Sequence, residues 1–178
     1  MEDFSLTNLL NCNVPARIQP VGLSMHPFIR RGDYVTIFPL SSDPRRQGQI
    51  NILNGDCVIF RENPERWLIH RVIGINSGNG KIITKGDALL HPDPPVTREI
   101  IRGRVTIIHR ANSGKEYRLD LPQDQRVCRL IAILSRGEAM ISSIFRLRRR
   151  EVKISPEFEF LTRIIKFPKW LLTRIFFP

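Results

Sequence analysis

The sequence predicts a mainly β, antiparallel domain followed by a basic helical tail, and three observations carry that reading. Short β-prone runs succeed one another between residues 16 and 120, with turn residues in the gaps and no helix-length stretch among them. Two of the gaps, Asn76-Ser77-Gly78-Asn79-Gly80 and Ala111-Asn112-Ser113-Gly114, have hairpin composition. From Asp120 onward the period changes, and Val127, Leu130, Ile131, Leu134, Ile141 and Phe145 fall on one helical face. The implied organisation is a lead-in over 1–15, a β domain over 16–120 and a helical tail over 121–178.

Taken in order, Phe4 to Leu10 can form one or two helical turns. Ala16 to Val21 alternates as a strand, and Tyr34 to Phe38 is the next. Residues 39–54 are punctuated by Pro39, Pro44, Gly48 and Asn54 and read as a loop, with a short strand at Gln49 to Leu53. Cys57 to Phe60, Trp67 to Ile75 and Lys81 to Lys85 are strands, followed by a proline-rich loop over 88–97. Ile100 to Arg110 pairs with Lys115 to Leu119. Asp120, with Gln123 three residues on, has helix-start chemistry, and Gly137 is a place where that helix can bend. Arg146 to Arg150 puts cations at its C-terminal end. Ser155-Pro156 begins a second helix, which Pro168 is expected to interrupt.

A chain of 178 residues, 42% hydrophobic and 25% charged, is globular in composition and long enough for one domain with an appendage. The net charge is +11 and the pI about 10.6. Residues 121–178 hold twelve Lys/Arg against five Asp/Glu, so most of the excess lies in the tail. A solvated helical surface, an anionic lipid surface and nucleic acid all suit such a charge. The three cysteines, Cys12, Cys57 and Cys128, are scattered without a Cys-x-x-Cys pair and read as buried, reduced thiols. No signal peptide and no membrane-spanning stretch is expected, which places the chain in the cytoplasm or peripherally at the cytoplasmic membrane.

The residues with chemistry begin at Val21-Gly22-Leu23-Ser24-Met25-His26-Pro27, which sets a hydroxyl at a bend. Pro27 fixes its own φ and drives His26 out of the helical region. Gly22 leaves room for another backbone, and Arg31-Gly32-Asp33 turns the chain into the next strand. A serine nucleophile needs a base. Of the four histidines, His26, His70, His91 and His109, His70 lies on a strand with apolar neighbours, on the face shared with Leu68 and Val72 and opposite Ile69 and Arg71. Asp87, after Gly86 at a strand end, and Asp93, in the proline loop, are alternative acceptors for the other imidazole N–H. His91 and His109 lack metal-ligand spacing, so no metal or cofactor is assigned.

Five segments in order resemble the boxes of the type I signal peptidases and the related LexA-like self-cleaving proteins. They are Gly22-x-Ser24-Met25-x-Pro27 with Gly32-Asp33, Gly55-Asp56-Cys57-Val58-Ile59-Phe60, His70-Arg71-Val72-Ile73, Lys85-Gly86-Asp87 with Asp93, and Gly103-Arg104-Val105. The resemblance covers residues 16–110 and takes the form in which histidine replaces the lysine of the Ser/Lys enzymes. It implies a β-rich fold, Ser24 as nucleophile, His70 as general base, Asp93 as the orienting carboxylate and Asp87 as a loop-shaping residue. It also implies substrate contacts at Gly22, Met25 and Pro27, and a leader, signal or precursor peptide bound as an added strand and cut after small side chains. A noncatalytic peptide-binding or regulatory relative is the alternative. The helical tail lies outside the resemblance; peripheral membrane contact is expected of it before nucleic acid, because no helix-turn-helix precedes the β domain.

Overall fold

The computed structural model describes residues 6–40, 51–63, 66–148 and 156–178. Helix α1 (Leu6–Asn11) leads into β1 (Ala16–Ile18) and β2 (Tyr34–Pro39). There follow β3 (Cys57–Asn63), β4 (Arg66–Ile75), β5 (Ile82–Lys85), β6 (Ile101–His109) and β7 (Glu116–Arg118), then α2 (Pro122–Arg148) and α3 (Pro156–Phe176). Every strand pairing is antiparallel, in one sheet ordered β1-β2-β6-β3-β4-β5, with β7 on β6. The mainly β prediction with C-terminal helices therefore holds. Of the strand expected over Gln49 to Leu53, Asn51 to Leu53 form none, and Gln49 and Ile50, like Arg149, Arg150 and Ser155, lie outside the described residues.

Alternation along the central strands divides the apolar side chains between two cores. Ile37, Ile59, Ile69, Val105 and Ile108 face one, which also takes Met25 and Phe28. Val58, Phe60, Leu68, Val72 and Ile101 face the other, closed by Ile82 and Val96. β3 and β4 are thus covered on both faces, which is why they read as continuous apolar runs.

Both C-terminal helices pack on the sheet. Cys128 and Ile131 of α2, and Phe177 just after α3, belong to the same core as Phe28 and Ile37. The Phe177 ring meets Phe28 and Tyr117 edge-on at 4.9 and 5.5 Å. Its carbonyl accepts from Arg30 Nη2 (2.9 Å) and Arg110 Nη2 (2.7 Å). Buried charge fixes both helices to the sheet. Glu138 of α2 accepts from Lys85 of β5 at 2.8 Å and from Lys169 of α3 at 2.7 Å, all three side chains at most 2% exposed.

Four local expectations fail for tertiary reasons. The Asp120 carboxylate pairs with Arg118 (3.1 Å) instead of capping, and α2 starts at Pro122, a residue suited to a first helical turn. α2 runs through Gly137 without a break. α3 also runs through Pro168, which is exposed, while the adjacent Lys169 is anchored inside. Cys57 and Cys128 are buried as expected, whereas Cys12 is exposed. Among the described residues no helix is long and apolar enough to cross a membrane.

Candidate active site

The Ser24 loop is a tight turn held at both ends. His26 N–H donates to the Leu23 carbonyl (3.0 Å) and Ile29 N–H to that of Met25 (3.0 Å). The His26–Pro27 peptide bond is cis. Met25 and Phe28 drop into the core and anchor the turn. Asp33 closes it: its carboxylate accepts the Arg30 N–H (2.8 Å) and the Ala111 N–H (3.2 Å), and pairs with buried Arg110. Ser24 is half-buried at the edge of this unit.

His70 sits on β4 opposite Val58 of β3, in the second core, with the Phe60 ring edge-on at 6.2 Å. Alternation placed it on that face correctly. Its Nδ1 is 2.6 Å from Asp93 Oδ2, which also accepts the Thr84 hydroxyl at 2.7 Å. The proline loop is clipped to β5 so that this carboxylate is in place: Asp93 N–H donates to the Thr84 carbonyl (2.8 Å), and Ile82 and Val96 exchange both backbone hydrogen bonds. Two acceptor contacts on one oxygen fix the carboxylate, which in turn fixes the imidazole plane. His70 Nε2 is buried and has no hydrogen-bond partner.

Asp87 has a different task. Arg71 grips it through Nε (3.0 Å) and Nη2 (2.7 Å), both side chains being buried. Burial pushes the Asp87 carboxyl up, but the Arg71 guanidinium outweighs it and holds the group below the ordinary carboxylate value. Of the two alternatives, the geometry pairs Asp93 with His70 and commits Asp87 to Arg71. Lys85, the base a Ser/Lys arrangement would need, is turned to Glu138. Burial and the neighbouring Lys169 charge push its ammonium down to about 8 against the pull of Glu138.

The Ser24 loop is seated against Gly86. The last β4–β5 pair is Arg71 with Lys85, so His70 and Gly86 are the next positions on the ladder. A Cβ on Gly86 would lie 2.8 Å from the Ser24 carbonyl oxygen, so only glycine admits the loop here. Ala88 N–H donates to that same oxygen at 2.7 Å. Lys169 Nζ and Lys166 Nζ hold the carbonyls of Asp87 (2.7 Å) and Ala88 (2.6 Å), so α3 braces the segment that braces Ser24. The Ser24 hydroxyl and His70 Nε2 do not hydrogen-bond in the structure.

A cavity of about 440 Å³ opens beside Ser24, lined by residues 18–25, Ile29 and Ile59 and by Arg66 to Ile69 of β4. Over that stretch β4 pairs with β3 alone, leaving its other edge to the groove. Gly22 and Met25 are among the residues that line it. A Cβ at Gly22 would meet no atom within 4 Å, so no part of the chain uses the close approach read from the sequence. Pro27 is buried and does not line the groove; its part is in the turn. Sequence reasoning missed Thr84, whose position two residues before Gly86 was the available signal, and the lysines of α3, for which there was none. Comparisons with protein-family models, curated proteins and solved structures gave no match.

Proposed function

We propose that the chain is a serine endopeptidase of the type I signal peptidase kind, with Ser24 as nucleophile, His70 as base and Asp93 as the residue that orients it. The observation that carries this reading is the Asp93–His70 pair at 2.6 Å, which leaves a buried, unpartnered Nε2 on the residue that the register sets opposite the glycine that seats Ser24. Buried nitrogens without partners are rare and call for a reason. An imidazole held through Nδ1 by a carboxylate is oriented to take a proton at Nε2.

In the proposed reaction an extended peptide adds to the free edge of β4 and presents its carbonyl to Ser24. The Ser24 hydroxyl closes to hydrogen-bond distance of His70 Nε2 in the substrate complex, where such contacts tighten. His70 takes the proton as the Ser24–acyl bond forms, then gives it to the departing amine as the peptide C–N bond breaks. Water, deprotonated by His70, releases the acyl group and restores Ser24. The Ser24 N–H is a candidate oxyanion donor.

Digestion of a peptide library rich in small residues, followed by mass spectrometry, tests the reading. Cleavage should fall by several orders of magnitude in Ser24→Ala and His70→Ala. Cleavage that persists in Ser24→Ala refutes it. Loss in Lys85→Ala with retention in His70→Ala would replace His70 by a lysine base.

A second reading concerns α3. Lys169, Thr173 and Phe177 face inward, whereas Ile164, Phe167, Leu171 and Ile175 form an exposed stripe on the opposite side. With Trp170 beside it under Arg174, this stripe suits peripheral contact with a lipid surface. Vesicle flotation of the full chain should weaken in Phe167→Gln/Ile175→Gln; equal flotation removes this reading.

A further inference from the structure

A second groove meets the first at the nucleophile. It has a volume of about 520 Å³ and is lined by Leu23, His26, Arg30, Arg31 and Ala88. Leu23 lines both grooves, and Ala88 holds the Ser24 carbonyl, so Ser24 stands at their junction. The two differ in character. The groove along β4 is walled mainly by apolar side chains, whereas three of the five residues of the second carry basic side chains.

Among the described residues Arg30 and Arg31 make no ion pair. The Arg30 guanidinium contacts the carbonyls of Pro27 (3.4 Å) and Phe177 (2.9 Å). Arg174 makes no ion pair among the described residues either, and lies over Trp170. The nearby Asp33 is occupied by Arg110 and by two backbone N–H groups. Partial burial and the fields of Arg30, Arg174 and Arg110 push the His26 imidazolium down. Burial, then Arg110 and Arg174, lower Arg30 in the same way. Arg174, in the last turn of α3, does not line the groove, but its charge reaches His26 and Arg30.

We propose that this second groove is a subsite for acidic residues of the substrate, on the side of the scissile bond away from the strand-adding segment. The substrate is then a peptide with an apolar part that adds to β4 and an acidic part that crosses His26, Arg30 and Arg31 within the field of Arg174. This deepens the peptidase reading and rests on it for the identity of the occupant. A basic site joined to the serine through Leu23 and Ala88 fits a chain passing over the nucleophile.

The test uses the full chain carrying Ser24→Ala, so that peptides stay intact. Fluorescein-labelled peptides join Val-Leu-Val-Ala-Ala to Asp-Glu-Asp, in either order, and are compared with counterparts carrying Asn-Gln-Asn. At low salt the better acidic peptide should bind about tenfold more tightly than its neutral counterpart. That preference should vanish in 0.5 M salt, on the order of the concentration that screens such contacts. It should also vanish in Arg31→Gln/Arg174→Gln, two exposed positions that make no hydrogen bond to the chain and leave the melting curve in place. Equal affinities, or a preference that survives the double variant, overturn the proposal. So does an unchanged peptide preference accompanied by lost binding to phosphatidylglycerol vesicles, which would make the groove a headgroup site. Cleavage is read separately with Ser24 intact. Charge-selective binding with no peptide cut refutes the peptidase reading alone; cleavage with no charge preference refutes the subsite alone.

Discussion

Replacing Glu138 by Gln should destabilise the protein by about 3–5 kcal/mol, the usual cost of removing one partner from a buried ion pair. The structure supplies the reason. One carboxylate oxygen serves two ammoniums, Lys85 at 2.8 Å and Lys169 at 2.7 Å, and none of the three side chains is more than 2% exposed. At an effective dielectric of about 20, each contact represents roughly 6 kcal/mol of gross attraction, most of which offsets desolvation. Gln leaves two buried cations facing one neutral carbonyl. Lys169 keeps the Asp87 carbonyl and the Ser135 hydroxyl (3.3 Å); Lys85 has no other hydrogen-bond partner among the described residues. For a chain of this size the loss corresponds to a fall in Tm of about 6–20 °C. Urea unfolding followed through Trp67 on β4 and Trp170 on α3, together with circular dichroism, measures it and checks that sheet and helix unfold together. A loss below about 1 kcal/mol would refute the reasoning, because it would mean that the lysines reach water or discharge at little cost. The triple variant Lys85→Met/Glu138→Leu/Lys169→Met supplies the converse: with all three charges gone, stability should recover most of the loss.

Three further outcomes follow from the same geometry. Gly103→Ala places a Cβ 2.5 Å from Ile37 Cγ2 and 2.9 Å from the Phe38 carbonyl, and should cost about 1–3 kcal/mol in urea unfolding. Phe177→Ala empties a fully buried ring site between Phe28 and Tyr117 and should cost about 3–5 kcal/mol; a smaller loss would mean that the chain end is not part of the core. Lys85, held near 8 in the folded chain and ordinary when unfolded, binds fewer protons folded than unfolded between about pH 8 and 10.5, so its contribution to stability rises with pH across that window. Burial pushes Cys57 and Cys128 up and opposes this above pH 9, so the comparison is wild type against Lys85→Met, whose difference should grow in favour of wild type from pH 8 to 10.

The strands were legible because their determinants are local. Asn-Gly turns, glycine at strand ends and apolar alternation specify where a strand starts, stops and faces, and β2 to β7 follow them closely. The same alternation put His70 on the Leu68–Val72 face, and the turn residues around Ser24 placed its hydroxyl at a bend. Where a long-range partner competes, local chemistry gave the wrong answer. Asp120 reads as a cap until Arg118 claims it, and Pro168 reads as a break until Lys166 and Lys169 secure the helix on either side of it.

Tertiary structure alone decided how the charges pair. From the residues alone, Asp87 at a strand end and Asp93 in the proline loop are alternative partners for His70. In the fold Arg71 neutralises one in a dry interior, while β5 clips the other against His70. Nothing in the helical pattern told that Lys166 and Lys169 would point inward to hold the peptide groups behind Ser24, because a lysine is buried only where a distant strand offers a carbonyl or a carboxylate to receive it. The period of apolar residues is a property of neighbouring positions and can be read along the chain. The partner of a buried charge depends on which groups from remote segments share one low-dielectric space, and that is set only when the sheet and the two C-terminal helices close on each other.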